Sequence, residues 1–125
     1  MSEKFVQTRP EMTAGETLEL LRRVHGQTET FTDLYVTDED GHLEGVVSLR
    51  DLVLAQPKQQ LREFMTRDIV SVSPIEDQEI AARLIAHYNF LALPVVENGR
   101  ILGIITVDDI IDVLIEEGTT QYLES

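Results

Sequence analysis

The sequence contains no cysteine, which excludes a disulfide framework and thiolate chemistry. It has no hydrophobic run near the roughly 20 residues that a membrane-spanning helix needs, and it has no basic, apolar secretion signal at its start. We therefore expect a soluble, intracellular chain. Common catalytic motifs are also missing: Gly-Lys-Ser/Thr, Gly-x-Ser-x-Gly and His-Glu-x-x-His do not occur, and the three histidines are scattered singly. The sequence therefore does not predict an enzyme.

Basic residues are scarce, since 10 Lys and Arg stand against 23 Asp and Glu, for a formal net charge of −13. Nucleic-acid phosphates attract basic surfaces, so no nucleic-acid partner is expected. The charge suits cation binding, although it also serves ordinary solubility. Residues 101–125 carry six acids and no Lys or Arg, which makes this stretch the most acidic candidate for a cation site.

An internal repeat organises the chain. Residues 41–51 match residues 99–109 at a constant offset of 58 (99 − 41), and the residues around Phe5 match those around Ile69 at an offset of 64 (69 − 5). The larger upstream offset places extra residues in the first copy. We assign most of them to 25–31 and one to the turn at 38–40.

Both copies predict the element order β-α-β-β-α. Hydrophobic and β-branched runs predict strands at 5–8, 34–37, 43–48, 69–72, 91–96 and 101–106. Thr13 and Glu16 have the spacing of a capping box, which predicts the start of the first helix. The corresponding helix of the second copy has its apolar stripe at Ile80, Ala81, Leu84 and Ile85.

The turns and the second helices also have local signals. Gly41 and Gly99 occupy hairpin turns that favour positive φ, and Ser48 and Thr106 are placed as N-caps. We predict an α/β (α+β) fold of two such units related by a pseudo-twofold, each a small sheet packed on two helices. The predicted boundaries are a first unit at 1–56, a linker at 57–64, a second unit at 65–117 and the start of a connecting segment at 118–125. A cleft between duplicated units is a common place for a ligand.

The motif Gly-h-h-Ser/Thr-x-x-Asp, where h is apolar, occurs at 45–51 and again at 103–109. This repeated motif resembles the signature of the CBS domain, a regulatory module that works as a tandem pair. The stretches 77–79, 93–96 and 103–113 are similar to the cytosolic CBS region of MgtE-type magnesium channels. The resemblance implies a regulatory domain at the cytoplasmic face of the membrane, either cut from a longer protein or free-standing.

Partners follow from the same resemblance. It implies a homodimer formed through the CBS helices, and a parent protein that also carries an acidic N-terminal domain and a transmembrane pore. The implied function is to sense intracellular Mg²⁺ through acidic faces and to gate transport.

The resemblance also implies a set of magnesium ligands, whose acids carry over to Asp77, Glu79, Asp109, Asp112 and Glu117. Asn89 stands where the family often has Asp, and it can coordinate through its carbonyl oxygen. On a helix, Asp108, Asp109, Asp112 and Glu116 would share one face, where like charges repel and a hard divalent cation would relieve the repulsion. The competing interpretation of this face is an ordinary solvated surface. For the acids at 77 and 79 it is placement at a helix N-terminus, which favours acids anyway.

Nucleotide sensing is the alternative function, because CBS pairs frequently bind adenine nucleotides such as ATP or AMP between their repeats. The implied contacts are ribose for Asp51, phosphate for Ser48, Arg50 and Thr106, and adenine for Tyr35 and Phe90. The competing interpretations are plain N-capping for the Ser and Thr and core packing for the Phe. Copy two has Asp108 in place of the arginine, so we expect the first copy's cleft to hold the nucleotide.

Overall fold

The computed structural model describes residues 2–24, 26, 33–75, 78–88 and 92–107, except for the side chains of residues 78, 79 and 88. The elements in chain order are β1 (Gln7–Thr8), α1 (Ala14–Val24), β2 (Asp33–Thr37), β3 (Leu43–Ser48), α2 (Leu49–Leu54), a 3₁₀ turn (Leu61–Glu63), α3 (Gln78–Tyr88), β4 (Ala92–Glu97) and β5 (Arg100–Thr106). The mixed α/β class is as predicted. Within the described ranges, no helix has both the length and the apolar character needed to cross a bilayer.

Each unit contributes its own small sheet. In the first unit β1 runs parallel to β2, and β2 runs antiparallel to β3. In the second unit β4 and β5 are antiparallel, and Val72 makes a single parallel bridge to Val95. The predicted hairpin strands are confirmed with shifts of one residue at most at their described ends.

The first residues of each unit pair with the last strand of the other unit. Ser2 and Ile104 exchange two main-chain hydrogen bonds of 2.7 and 2.8 Å, and Thr66 and Val46 exchange two of 2.9 Å. The two pairs are equivalent under the repeat, because Thr66 follows Ser2 by 64 and Ile104 follows Val46 by 58. We call these two pairs the crossed pairs. Each sheet is therefore extended by a residue from the opposite unit.

The crossed pairs explain why the predicted first strands were too long. The strand predicted at 5–8 is only Gln7–Thr8, and the one predicted at 69–72 is reduced to the bridge at Val72. A segment that pairs at its start with one sheet must leave that sheet before it joins the next one. The residues in between cannot form a ladder with either sheet.

Helix α1 begins at the predicted capping box. The Glu16 amide donates to Thr13 Oγ1 (3.1 Å), and the Thr13 amide donates to Glu16 Oε1 (3.0 Å). The first two helical amides donate to the carbonyls of Gln59 and Pro57, at 2.8 and 2.9 Å, which satisfies donors that a helix start otherwise leaves unpaired. The segment that follows α2 therefore packs on the first unit, and Leu61 within it is fully buried.

One predicted core position is wrong. The sequence places Ile80 in the apolar stripe of α3, but it is 42% exposed, whereas Ala81, Ala82 and Ile85 are buried. Successive residues turn by about 100° around a helix, so a face centred between Ala81 and Ala82 carries Ile85 and points Ile80 away.

Candidate functional site: a cavity between the two units

A cavity of about 200 Å³ lies between the two units. The first unit lines it with Asp33, Tyr35, Ser48 and Asp51, and the second lines it with Asp68, Ile69 and residues 92–94. The strands place these groups, because β2 and β3 are antiparallel neighbours and Asp33 pairs directly with Ser48. The cavity is thus built at the end of the first sheet and closed by the second unit.

Three of the residues predicted to bind a nucleotide meet here, namely Tyr35, Ser48 and Asp51. Arg50 is exposed on α2 and does not line the cavity. Thr106 is buried at the end of β5, where it pairs with the lining residue Ala92, but it does not itself line the cavity. Phe90 lies outside the described residues. The roles proposed for these side chains remain predictions.

Ser48 begins helix α2 as predicted. The Asp51 amide donates to Ser48 Oγ over 3.1 Å, which satisfies one of the donors at the helix start. Because Ser48 acts as the acceptor in that bond, its hydroxyl hydrogen remains available to a ligand. The Asp51 carboxylate is exposed and lies on the same side of the cavity.

Tyr35 and Asp33 form the buried part of the wall. The Tyr35 ring is 1% exposed and packs edge-on against Phe5, with ring centroids 5.8 Å apart at 86°. Burial, assisted by the negative charge of Asp33, raises the pKa of the Tyr35 phenol, so the group is a neutral donor. Burial likewise raises the pKa of the half-buried Asp33 carboxyl.

Sequence reasoning missed Asp33 and Asp68 as members of this site. Asp33 corresponds to Ala92 in the second copy. Because the acid is not repeated, the comparison of the two copies gave no reason to select Asp33 as a site residue. Asp68 aligns with Lys4 at the offset of 64, and this reversal of charge between two otherwise similar copies was a signal that could have been used.

The predicted magnesium ligands cannot be placed in the same way. Asp77, Asn89, Asp109, Asp112 and Glu117 lie outside the described residues. Glu79 falls in α3, but its side chain is outside the description too. The magnesium site therefore stays a prediction.

Another group of potential cation ligands occupies the turn between β2 and β3. Oxygen and nitrogen atoms of Asp38, Asp40 and His42 lie within 4.8 Å of one another, and His42 Nδ1 is 2.9 Å from Asp38 Oδ2. The amides of His42 and Asp40 donate to Asp38 Oδ1; the His42 amide above all lowers the pKa of the Asp38 carboxyl. These hydrogen bonds stabilise the turn, and they are sufficient to explain why the three side chains lie close together.

Comparison with known proteins identifies relatives along nearly the whole chain. A family model described as the CBS domain matches residues 1–58 and 61–116. The magnesium transporter MgtE of Thermus thermophilus is 48% identical over 120 residues, which are 95% of this chain and 27% of that protein. The magnesium transporter MgtE of Bacillus subtilis is 40% identical over 123 residues, which are 98% of this chain and 27% of that protein. The chain thus spans about a quarter of the length of these curated relatives.

Solved structures of CBS-domain proteins are also similar to this chain. The cytosolic domain of the Mg²⁺ channel MgtE in complex with ATP is 50% identical, with a TM-score of 0.85 over 88% of this chain and 45% of that one. The CBS domain pair of protein MJ0100, in complex with 5′-methylthioadenosine and S-adenosyl-L-methionine, is 27% identical, with a TM-score of 0.73 over 94% of this chain and 93% of that one.

Proposed function

This chain belongs to the CBS-domain family, as a tandem pair of its repeats, and from that membership we propose that it is the cytoplasmic regulatory domain of an MgtE-type magnesium transporter. The observation that carries the proposal is the extent of the similarity: 48% identity runs over 95% of the chain and so includes both repeats. The role is regulatory, and transport itself belongs to a membrane pore elsewhere in the parent protein.

In this proposal the signal is intracellular Mg²⁺, bound by Asp77, Glu79, Asn89, Asp109, Asp112 and Glu117. The chain carries a formal net charge of −13, so acidic faces that approach one another repel unless a cation lies between them. Magnesium prefers oxygen ligands and keeps several of its waters, which suits a bridge between separate faces. High Mg²⁺ therefore favours a closed arrangement, low Mg²⁺ favours an open one, and the closed arrangement shuts the pore.

A magnesium titration of thermal stability tests this proposal. Because a ligand that binds the folded state raises its stability, millimolar MgCl₂ should raise the melting temperature. The triple variant Asp109→Asn/Asp112→Asn/Glu117→Gln should lose most of that rise. A control that neutralises three other acids, Glu3→Gln/Glu44→Gln/Glu97→Gln, should keep it. No rise in the parent chain, or equal loss in both triple variants, would contradict sensing by the proposed residues.

We also propose that the domain forms a homodimer through its CBS helices. Helix α2 supports this, because Val53 and Leu54 are 63% and 72% exposed, although apolar side chains are normally buried. Leu54→Glu should convert a dimer into a monomer in size-exclusion chromatography with light scattering. Glu44→Gln, on an exposed side chain of β3, should leave the mass unchanged.

Adenine-nucleotide binding is the second candidate function, and the cavity lined by Tyr35, Ser48 and Asp51 favours it. A hydroxyl donor at Ser48 and a carboxylate acceptor at Asp51 suit the polar edges of a nucleoside, and the wall around Tyr35 is largely apolar. Asp51→Asn should weaken the binding of adenosine, AMP or ATP in calorimetry. Asp40→Asn, in the turn between β2 and β3, is the matched control and should bind as the parent chain does.

A further inference from the structure

Asn98 and Gly99 form the turn between β4 and β5. Glu97 pairs directly with Arg100, so the turn has two residues. Their φ angles are +53° and +80°, the signs that a type I′ hairpin turn requires. Both residues are exposed. The tip of this hairpin therefore presents an asparagine followed by a glycine to the solvent.

Asparagine is a thermolabile residue, because the main-chain nitrogen that follows it can attack its carboxamide carbon and close a succinimide ring. Glycine after the asparagine favours the attack, since it has no Cβ to obstruct the approach of its nitrogen. The Gly99 amide donates no hydrogen bond to any described residue. Its nitrogen therefore has no hydrogen bond to break before it reacts.

The corresponding turn of the first copy lacks both reacting groups. The offset of 58 (98 − 40 and 99 − 41) places Asp40 and Gly41 there. An ionised carboxylate is a much poorer electrophile than a carboxamide, and it has no ammonia to release. The Gly41 amide is also engaged, because it donates to the Asp38 carbonyl over 3.1 Å. The second turn alone therefore combines a carboxamide with an unengaged glycine amide.

We propose that Asn98 is a site of spontaneous deamidation, and that its isoaspartyl product breaks the contact between this turn and the first unit. In the first step the Gly99 nitrogen bonds to Asn98 Cγ, the Cγ–Nδ2 bond breaks, and Nδ2 leaves as ammonia with the proton that the nitrogen has lost. Water then opens the ring. Its addition at Cγ gives aspartate, and its addition at the main-chain carbonyl carbon gives isoaspartate. Both steps are hydrolytic and need no oxidant or reductant.

Isoaspartate lengthens the main chain directly before Gly99. It adds one carbon atom, and hence one bond of about 1.5 Å, between the Cα of residue 98 and the Gly99 nitrogen. The Gly99 carbonyl accepts a 2.8 Å hydrogen bond from the Leu43 amide of the first unit, and such bonds rarely exceed about 3.2 Å. A displacement of Gly99 by the length of the added bond therefore breaks this contact.

Water labelled with heavy oxygen tests the reaction, because each ring that opens takes up one labelled atom. The folded full chain is incubated at mildly alkaline pH, and the tryptic peptide of residues 84–100 is then fragmented. Label should appear at residue 98 and not at Asn89, which precedes the bulky Phe90. Asn98→Gly keeps a residue that accepts positive φ but removes the carboxamide, so it should take up no label. The folded chain should react within about tenfold of the rate in urea, since exposed loop tips open at little cost.

Hydrogen exchange of the isoaspartyl form, purified by chromatography, tests the consequence. Exchange at the Leu43 amide should rise by roughly tenfold, as expected when about one hydrogen bond is lost. Asn98→Asp is the matched control, because it adds the same charge without the extra main-chain carbon, and it should exchange as the parent chain does. The Val46 amide, which donates to Thr66, should exchange at the same rate in all three forms.

Two results would overturn the proposal, one for each of its parts. If residue 98 takes up label in urea but not in the folded chain, the turn protects Asn98 and the modification site is wrong. If isoaspartate forms but Leu43 exchanges as it does in Asn98→Asp, the product does not break the contact with the first unit.

Discussion

The main-chain amide of Leu43 donates a 2.8 Å hydrogen bond to the carbonyl of Gly99, in the opposite unit. The repeat reproduces it, since Ile101 donates to Gly41 over 3.1 Å. The two hairpin turns are therefore joined across the pseudo-twofold by a symmetric pair of bonds, and the conformation of each turn affects the contact between the units.

Gly99→Ala should destabilise the protein more than Gly41→Ala. Both glycines have positive φ, +80° and +88°, so alanine at either position should cost about 1–2 kcal/mol of unfolding free energy. A Cβ at Gly99 would also lie 3.3 Å from His42 Cδ2, whereas a Cβ at Gly41 would meet nothing within 4 Å. Urea denaturation of both variants measures the difference, and His42→Ala in the Gly99→Ala background should remove it. Equal losses for the two glycines would contradict the steric part of this prediction.

Gly45→Ala should lower the free energy of unfolding by about 1–3 kcal/mol through overpacking. A Cβ at this strand position would lie 2.6 Å from Met65 Sδ and 3.1 Å from Met65 Cβ, and Met65 is itself buried. Combining Gly45→Ala with Met65→Ala should therefore cost less than the sum of the two single changes in a denaturation cycle. Additive costs would mean that the methionine does not restrict position 45.

Ser2→Pro should loosen the second unit, although residue 2 belongs to the first unit. Proline has no amide hydrogen, so the 2.7 Å bond to the Ile104 carbonyl is lost. The Ile104 amide donates the other bond of the pair to the Ser2 carbonyl, which proline keeps. Because the two bonds support each other, hydrogen exchange at the Ile104 amide should still rise by roughly tenfold, as expected when about one hydrogen bond of stabilisation is lost. Ser2→Ala keeps the main-chain donor and should leave the exchange rate as it is. An unchanged rate in Ser2→Pro would contradict a stabilising role for the bond from the Ser2 amide to the Ile104 carbonyl.

Asp33→Asn should stabilise the protein near pH 7 and have no such effect in acid. Burial raises the pKa of the Asp33 carboxyl above its unfolded value. The buried charge therefore destabilises the folded state only as the pH rises from the unfolded pKa towards and beyond the folded one. Below about pH 4, the unfolded pKa of aspartate, the carboxyl is neutral in both states and the penalty is absent. Urea midpoints at the two pH values measure the change, with Glu97→Gln as an exposed control. A variant that is less stable than the parent at pH 7 would contradict the assigned penalty.

The duplicated architecture was predictable because the same sequence pattern occurs in both copies, so each copy supports the prediction made for the other. The offset of 58 located both hairpins, and local rules located the capping box at Thr13, the N-cap at Ser48 and the positive φ of Gly41 and Gly99. These features depend on residues close together in the chain, and local chemistry is what a sequence displays most directly.

Pairing between distant segments was not predictable in the same way. Hydrophobic alternation identifies a strand but not the segment it pairs with. The sequence therefore does not predict the crossed pairs, and it predicts first strands that are longer than those in the structure. The cavity wall was predicted in part for the same reason. Ser48 and Asp51 belong to the repeated motif, and the family resemblance pointed to Tyr35. Asp33 and Asp68, in contrast, reach the cavity only because the second unit closes over the end of the first sheet.

The crossed pairs are equivalent in the folded structure, but the two residues of one pair are much farther apart in the sequence than those of the other. Thr66 follows Val46 by 20 positions (66 − 46), whereas Ile104 follows Ser2 by 102 (104 − 2). During synthesis Thr66 can pair with the first sheet soon after the strands of that sheet have been made. Ser2, in contrast, can pair with Ile104 only after 102 further residues have been added. Closing that longer loop costs more chain entropy and delays folding. A symmetric protein is thus assembled in an asymmetric order, because the second unit is completed only when its last strand reaches a residue made 102 positions earlier (104 − 2).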